Sequence, residues 1–379
     1  MTATPDPVCR GLFVSHRDHL EGAPGGAQVC TREFVDVLGA AGVALQLHAV
    51  GLDARLETRI ARKLRPSPYF RPTRPGAAEA IAAQAREFDF VFLNQMELAT
   101  LGARLRALLP PSCRIVALSH GLDSTDLVHL MRLKSQLPLS GGRNADPGTL
   151  GRAIAVEQGF HAHLDLVCAL SPSDVVLHQW LGAARVDWLP RVIRRAPLAW
   201  APAGARFGYY GTLNHAPNLE GLTQVLDALA PRAAPSLRVR VVGAPSRLGA
   251  WLVGRYPCVD YLGPLDDAAL TAEAASWNAA LHPIFCHPRG CSTKLASAIG
   301  WEIPIVTTEP GRRGYEWADG ALIVATSAQD FADECLRLLD PAAAEAARRD
   351  VRRLAAASPT VDAVAGRMRR LLEAARAGA

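Results

Sequence analysis

The chain has 379 residues, of which 49% are hydrophobic and 20% are charged, with a formal net charge of +5. This length predicts two domains of about 150–200 residues rather than one core. No stretch approaches the ~20 uninterrupted apolar residues of a membrane helix, and the N-terminus lacks the pattern of a secretory signal, so we expect a globular cytoplasmic protein.

The first half of the chain alternates between apolar runs and helical stretches. Strands are predicted at Gly11–Ser15, Ala44–Val50, Phe90–Asn94, Arg114–His120 and Leu166–Ser171. Helices are predicted at Gln28–Leu38, Ala77–Arg86, Leu98–Leu109, Arg152–His161 and Pro172–Leu181. The apolar runs are continuous, which is typical of parallel strands covered on both faces.

Between the second and third predicted strands lies a basic segment, residues 55–74. It has seven Lys/Arg and one acidic residue, Glu57, with apolar residues between them: Leu56, Ile60, Leu64, Tyr69 and Phe70. Two interpretations stay open. The segment either contacts anionic lipid at the inner face of the cell membrane, or is a solvated loop in an Arg-rich sequence. We expect no nucleic-acid partner, because no binding motif accompanies the charge.

A stretch of low regularity with three prolines, Leu189–Ala205, separates two sets of alternations. We therefore predict an N-terminal domain over residues 1–189, a linker over 190–205 and a C-terminal domain over 206–358. The final residues, 359–379, are predicted to be helical, with a return to the N-terminal domain as one option.

The second half repeats the pattern of parallel strands and helices. Strands are predicted at Arg206–Gly211, Leu237–Gly243, Val259–Gly263, Ala279–Ile284, Ile303–Thr308 and Ala321–Thr326. Intervening helices are predicted at Asn218–Leu229, Leu265–Trp277 and Ser327–Leu339. The whole chain is thus predicted to be an α/β protein with two Rossmann-like, doubly wound parallel sheets facing a cleft, where ligands bind beyond the carboxyl ends of the strands.

The most informative motif follows the fourth strand of this second set. A loop with Gly290 leads into a helix that starts near Ser292, Thr293 and Lys294. The first N–H groups of a helix lack intrahelical partners and carry the positive end of its dipole, so such a loop suits a phosphate. A cap and a surface lysine are the alternative, but a cation at a helix start opposes the dipole unless a ligand phosphate is present. The motif predicts a diphosphate site, most of all for a nucleotide-sugar.

Cysteine and histidine usage favours core and loop packing over a metal site. Eight cysteines are scattered through the chain, several in predicted core elements, which is typical of reduced thiols. Cys286 and Cys291 lie near His282 and His287, but they straddle a strand and a loop instead of forming a C-x-x-C knuckle. We therefore expect no metal site.

Four segments of the second half together resemble retaining glycosyltransferases of GT-B architecture, especially the large bacterial family four of group-1 glycosyl transferases. They are FGYYGTLNHAPNLEGL, VRVVGAP, VDYLGPLDD and RGCSTKLASAIGWEIPIVTTEPGRRG. In the family, the third cradles the nucleotide base. The resemblance places Gly211 and Thr212 in the donor site, together with Gly290, Ser292, Thr293 and Lys294.

The first half resembles the family more weakly. The loop with Gly25 and Gly26 is similar to the Gly-Gly loop near the diphosphate, and His120 stands where the family has a histidine that faces the donor sugar. The segment EQGFHAHLDLVCALS also resembles the family's pattern before the domain crossing. A solvated histidine and a flexible loop remain the alternatives. Asp123, Asp126 and His129 have the spacing of one helix face and indicate an acceptor site, a metal site or a solvated helix start.

The sequence also departs from the family. Thr212 and Pro217 stand where the family has an arginine and a lysine for the diphosphate. The two family glutamates fall on Arg289 and Ser297, and Ser297 could offer the ribose only a neutral hydrogen bond. These departures put more weight on Lys294 and Arg289 as phosphate-binding cations.

The resemblance implies a glycosyltransferase that moves a sugar from a nucleoside diphosphate-sugar to a glycan, lipid-linked or other acceptor held by the N-terminal domain. It implies bacterial polysaccharide or glycoconjugate synthesis, retention of configuration and no metal or other cofactor. The missing glutamates leave a catalytically degenerate sugar-nucleotide-binding relative as an alternative, and an epimerase of the same fold is another. A nicotinamide enzyme is disfavoured, because APGGAQ replaces the G-x-G-x-x-G turn.

Overall fold

The computed structural model describes residues 9–22, 25–58, 60, 69, 73–133, 136–139, 145–315, 317 and 322–377. Within them, twelve strands form two six-stranded sheets, and every adjacent pair of strands in these sheets is parallel. Helices flank both sheets. The predicted fold class, α/β with two Rossmann-like sheets, is confirmed.

The first sheet and its helices form the N-lobe. Its strands are β1 Cys9–His16, β2 Val43–Val50, β3 Phe90–Asn94, β4 Arg114–Leu118, β5 Leu166–Ala169 and β6 Val186–Trp188, in the order β2-β1-β3-β4-β5-β6. Its helices are α1 Arg17–Glu21, α2 Gly26–Ala40, α3 Ala77–Ala85, α4 Gly102–Leu108, α5 Asp123–Leu133, α6 Pro147–His161 and α7 Pro172–Trp180. Strands β3, β4 and β5 are buried almost throughout, as their unbroken apolar sequences predict.

The second sheet and its helices form the C-lobe. Its strands are β7 Arg206–Tyr210, β8 Arg238–Val242, β9 Val259–Gly263, β10 Ala279–Leu281, β11 Ile305–Thr308 and β12 Ile323–Ala325, in the order β12-β11-β10-β7-β8-β9. Its helices are α8 Ala216–Leu229, α9 Ser246–Arg255, α10 Asp267–Ala274, α11 Thr293–Gly300, α12 Ala328–Arg337 and α13 Pro341–Ala357. The side chain of Ser327 caps α12 by accepting a hydrogen bond from the N–H of Asp330.

Several elements differ from the sequence-based expectation, among them the short helix α1, which was not predicted. Strand β6 was not predicted, because its three half-buried residues carry too short a pattern. Helix α9 was not predicted either, and its glycines, Gly249 and Gly254, weaken the helix signal. The single helix predicted at Leu98–Leu109 is a 3₁₀ segment, Met96–Leu101, followed by α4.

The last helix, α14 Val361–Ala377, packs against α2 of the N-lobe. It buries Met368 and Leu372 in the same apolar cluster as Phe34. The connection between the lobes, by contrast, follows the C-lobe: the backbone N–H groups of Ala196 and Leu198 donate to carbonyls at the end of α11. The chain therefore crosses between the lobes twice.

The basic segment predicted at residues 55–74 lies largely outside the described residues. Of its described part, Leu56 and Ile60 have 68% and 49% of their surface exposed. No helix of the described residues is both long and apolar enough to cross a bilayer.

Candidate functional site

Two helix N-termini meet between the lobes. A Cβ atom added to Gly26, at the start of α2, would lie 3.3 Å from the hydroxyl oxygen of Thr293, at the start of α11. Gly25 precedes α2 in an extended conformation and has no side chain to cap it. The positive ends of two helix dipoles thus converge on one point, which favours an anion there.

The loop before α11 is fixed by neutral hydrogen bonds. The Ser292 hydroxyl caps α11 and lies 2.7 Å from Nε2 of His282, whose Nδ1 lies 2.9 Å from the Thr307 hydroxyl. Burial, then Lys294 and Arg313, lower the pKa of His282 well below its usual value, so the ring is neutral. The Tyr315 hydroxyl donates to the Ser292 carbonyl at 2.6 Å. The helix start is therefore held in place before any ligand arrives.

Lys294 has no carboxylate partner among the described residues. Its ammonium donates to Oδ1 of Asn218 at 2.8 Å and lies 5.2 Å from the centre of the Tyr209 ring. The side chain lies over Gly211, where an added Cβ would be 2.7 Å from the Lys294 Cδ. Burial, and secondarily the charge of Arg313, lower the pKa of Lys294 to about 7. Such a cation is stabilised by a bound anion.

The other two predicted donor-site residues of the C-lobe contribute little charge. Thr212 offers its carbonyl, which accepts from Nδ2 of Asn218 at 2.8 Å. The Ser297 hydroxyl donates to the Thr293 carbonyl within its own helix at 3.1 Å. Neither interaction supplies the carboxylate that the family motif has at position 297.

Arg289 points at the N-lobe. Its guanidinium forms ion pairs with Asp123 and Asp126, and its backbone N–H donates to Asp126 at 3.1 Å. Burial by itself raises the pKa of Asp126, but His215, the Arg289 N–H and Arg313 outweigh it and lower the pKa. The charge of Arg289 is thus balanced across the lobe interface, and the start of α5 is a contact surface.

His120 lies at the end of β4 and faces the same interface. Its Nε2 lies 2.9 Å from Oδ1 of Asn94, and its ring is 5.6 Å from that of Phe34. Burial, followed by Arg191 and Arg289, lowers the pKa of His120 well below its usual value, so the imidazole is neutral. It can orient a ligand but cannot supply a charge.

Backbone contact joins His120 to the C-lobe. Gly290 has φ +63°, and an added Cβ would lie 2.4 Å from the His120 carbonyl oxygen. On the other side, a Cβ added to Gly121 would lie 2.3 Å from the Gly290 nitrogen. Only glycines let the two lobes approach this closely.

The structure thus brings Gly26, Gly211, Ser292, Thr293 and Lys294 to one cleft, with His120 and Gly290 at its edge. Two residues were missed: Asn218, which holds Lys294, and Arg313, in the turn after β11. The Gly-Arg-Arg-Gly sequence of that turn was the available signal, but it does not say which arginine faces the cleft. Among the described residues, no group of three or more His, Cys, Asp or Glu side chains could hold a metal ion.

Comparison with known proteins adds to this geometry. Residues 204–341 match the model of a family described as Glycosyl transferases group 1. No curated protein matches the chain at a significant level.

Solved structures resemble the whole chain in fold. Sucrose-phosphate synthase from Thermosynechococcus elongatus has a TM-score of 0.69 at 17% identity, covering 98% of this chain and 100% of that one. HepE from Anabaena, in complex with UDP and glucose, has a TM-score of 0.65 at 15% identity, covering 97% and 100%. A structure described as trehalose-6-phosphate from E. coli, bound with UDP-2-fluoro glucose, has a TM-score of 0.63 at 12% identity, covering 96% of this chain and 99% of that one.

At these identities the structural matches show the fold, whereas the family match bears on the chemistry of the C-lobe. Residues 204–341 of the C-lobe thus match a group-1 glycosyl transferase family, the whole chain has a GT-B fold, and the protein is a transferase enzyme.

Proposed function

We propose that this protein transfers a sugar from a nucleoside diphosphate-sugar to an acceptor bound by the N-lobe. The observation that carries the proposal is Lys294, a partly buried ammonium without a carboxylate partner among the described residues, at the start of α11. The start of α2 faces the same point. An ammonium and two helix dipoles match the charge of a diphosphate.

The chemistry follows from the charge of the leaving group. As the bond between the sugar and the diphosphate breaks, negative charge grows on the phosphate oxygens and positive charge grows on the sugar. Lys294 and the N–H groups at Ser292 and Thr293 stabilise the departing diphosphate. Contact between the lobes at Gly121 and Gly290 excludes water from the reacting atoms.

Retention of configuration and independence from a metal or other cofactor complete the proposal, and both rest on the family resemblance of the motifs. In a front-face reaction the departing phosphate oxygen takes the proton of the acceptor hydroxyl. His120 then orients the donor sugar as a neutral hydrogen-bonding group and exchanges no proton. The proposed acceptor is a glycan, a lipid-linked molecule or another acceptor in bacterial polysaccharide or glycoconjugate synthesis.

A uridine donor is the first to test, because two of the similar structures are described with UDP or a UDP-sugar. Calorimetric titration with UDP, GDP, ADP and TDP should show binding, with UDP the tightest. Binding of none of the four would refute the proposed donor site. Binding of another nucleotide in preference to UDP would keep the function and change the base.

A catalytically degenerate relative is favoured by one observation, the serine at position 297 in place of a carboxylate. A turnover assay distinguishes an active glycosyltransferase from a degenerate relative that only binds the nucleotide-sugar. Release of UDP from UDP-sugars, with or without candidate acceptors, should be faster than in the absence of protein. Tight UDP binding without any release or transfer would favour the degenerate relative.

The proposed location is the cytoplasm, at the inner face of the membrane. Exposed Leu56 and Ile60 lie in the segment with seven Lys/Arg, and apolar side chains among cations favour an anionic lipid surface. Vesicles with anionic lipid should bind the protein at low salt, and neutral vesicles should not. The variant with Leu56→Ser and Ile60→Ser should bind less. Equal recovery with both kinds of vesicle would contradict this location.

A further inference from the structure

The turn after β11, Gly311–Gly314, packs on the loop that starts α11. A Cβ added to Gly311 would lie 3.0 Å from Nδ1 of His282, and one added to Gly314 would lie 2.8 Å from the Cys291 sulfur. Gly314 also has φ +82°. Since His282 and Cys291 border the Ser292 cap, this turn forms a wall of the candidate site.

Arg313 is held in this turn by carbonyl groups. Its Nη1 donates to the Pro310 carbonyl at 3.0 Å, and its Nη2 donates to the Arg289 carbonyl at 2.9 Å. Its Nε is buried and has no hydrogen-bond partner in the described part of the chain. Carbonyl oxygens orient a guanidinium without cancelling its charge.

The carboxylates on the facing side of the cleft are engaged elsewhere. Asp126 binds Arg289 and His215, and Asp174 accepts from the Ser171 hydroxyl at 2.6 Å. No described carboxylate lies within ion-pair distance of Arg313. Lys294 and Arg313 are thus two cations beside one helix start, and neither has an ion-pair partner among the residues described here. Two such cations favour binding of a multiply charged anion.

The neighbouring Arg312 is in a different environment. Its Nε donates to the carboxylate of Glu309 at 2.7 Å, and this ion pair balances its charge. Two adjacent arginines therefore differ in whether a carboxylate balances them. Substitution of Arg312 is therefore a matched control for substitution of Arg313.

The sheet order gives the direction in which a nucleotide would lie. Strands follow in the order β11-β10-β7-β8-β9. The segment that resembles the family's base-binding motif is β9, Lys294 lies over Gly211 at the end of β7, and Arg313 follows β11. A nucleotide with its base at β9 would therefore meet Lys294 first and Arg313 last.

We propose that Arg313 binds the distal phosphate of the nucleoside diphosphate, the one that carries the sugar in the donor. It thereby replaces cations that the family motif has at the positions of Thr212 and Pro217. This inference rests on the proposed function and assigns a residue within its donor site.

UDP and UMP, titrated by calorimetry against the wild type, Arg313→Gln and Arg312→Gln, test the assignment. Arg313→Gln should weaken UDP binding by about 10- to 100-fold, the range for a charge-assisted hydrogen bond, and UMP binding by less than about threefold. Arg312→Gln should leave both affinities within about threefold. Equal losses for UDP and UMP, or no loss of UDP affinity, would overturn the assignment.

Two further measurements distinguish a direct contribution of the Arg313 charge to binding from a general loss of structure. Arg313→Lys keeps the charge but loses the planar fork, so its UDP affinity should fall between those of the wild type and Arg313→Gln. Removing the charge of Arg313 should also raise the pKa of Lys294, so UDP binding should persist to higher pH in Arg313→Gln. An unshifted pH profile would contradict the proposal. If the wild type binds no nucleoside diphosphate, both the proposed function and the assignment of Arg313 are refuted.

Discussion

The two lobes share a scaffold but differ in the charges at the carboxyl edges of their sheets. Both have six parallel strands with flanking helices. The C-lobe edge presents cations, Lys294, Arg289 and Arg313. The N-lobe edge presents carboxylates and neutral rings, among them Asp123 and His120. The fold therefore sets where ligands bind, while the loops after the strands decide which charge they meet.

Polar pairs hold the lobes together. Asp126 of α5 pairs with His215 at 3.1 Å. Further along α5 the polarity is reversed, because Arg132 of the N-lobe pairs with Glu220 of the C-lobe through two hydrogen bonds of 2.8 and 2.9 Å. The acidic start of this helix meets Arg289. In the proposed function, the C-lobe binds the leaving group, and the N-lobe binds the sugar and the acceptor. Substitutions in the C-lobe should therefore affect UDP binding, and substitutions in the N-lobe should affect turnover.

The largest expected effect is on the fold, at the point where the linker leaves the N-lobe. Arg191 is 1% exposed, and its Nη2 donates to Glu33 at 2.6 Å. Arg191→Met should lower the free energy of unfolding by about 3–5 kcal/mol, because it leaves the Glu33 carboxylate buried without its cation. Urea unfolding measures this. Adding Glu33→Gln should restore part of the loss, and a double variant no more stable than Arg191→Met would contradict the charge argument.

The second largest effect is expected on UDP binding, from substitution of Lys294 in the C-lobe. Lys294→Ala should weaken UDP binding by about 1–3 kcal/mol, because it removes a charge-assisted hydrogen bond to the diphosphate. Calorimetry gives the value, and the melting temperature shows whether the fold is kept. An unchanged affinity in a folded variant would count directly against the site.

The pH dependence of the wild type should follow from the same residue. The pKa of Lys294 is lowered to about 7 in the free protein, by burial and then by Arg313, and a bound diphosphate would raise it. Binding above pH 7 then requires proton uptake, so UDP affinity should fall by up to about tenfold per pH unit from pH 7 to 8.5 and stay level just below pH 7. Lys294→Ala should lose this slope. A slope retained in that variant would assign the proton to another group.

His120, on the N-lobe side, should affect turnover rather than leaving-group binding. His120→Ala should lower kcat by about tenfold, ~1.4 kcal/mol, because the donor sugar loses an orienting contact. The UDP affinity should change by less than about twofold. Steady-state kinetics and calorimetry on one preparation distinguish these effects, and a loss of UDP affinity with kcat intact would reverse the roles of the lobes.

The smallest effect is expected at the exposed end of the lobe interface. Arg132 is 52% exposed and Glu220 is 7% exposed. Arg132→Gln should weaken lobe closure by about 0.5–1 kcal/mol, the range for a partly solvated ion pair. Small-angle scattering should show a slightly larger radius of gyration at low salt, and the difference should shrink at high salt. An identical radius under both conditions would show that the pair does not hold the lobes.

Local sequence was sufficient for the elements that carry strong patterns. A continuous apolar run predicted β3 with the observed bounds, because a strand covered on both faces needs apolar residues throughout. The bounds of β9 were also predicted, although it is an edge strand that contains Asp260 and buries only Val259. The start of α11 was predicted from Gly290, Ser292 and Thr293, because a glycine turn and a hydroxyl cap act within a few residues. Two parallel sheets followed from the alternation of such elements.

Only the tertiary structure decided which charges face the cleft. Arg289 and Arg313 are both arginines in loops at a sheet edge, yet Asp123 and Asp126, more than 150 residues before Arg289, neutralise the first, while carbonyls hold the second. The ion-pair partner of an arginine depends on contacts between lobes, and such contacts leave no period or spacing in the sequence. The sequence therefore determined where an anion could bind, and the packing of the lobes determined which cations are left to bind it.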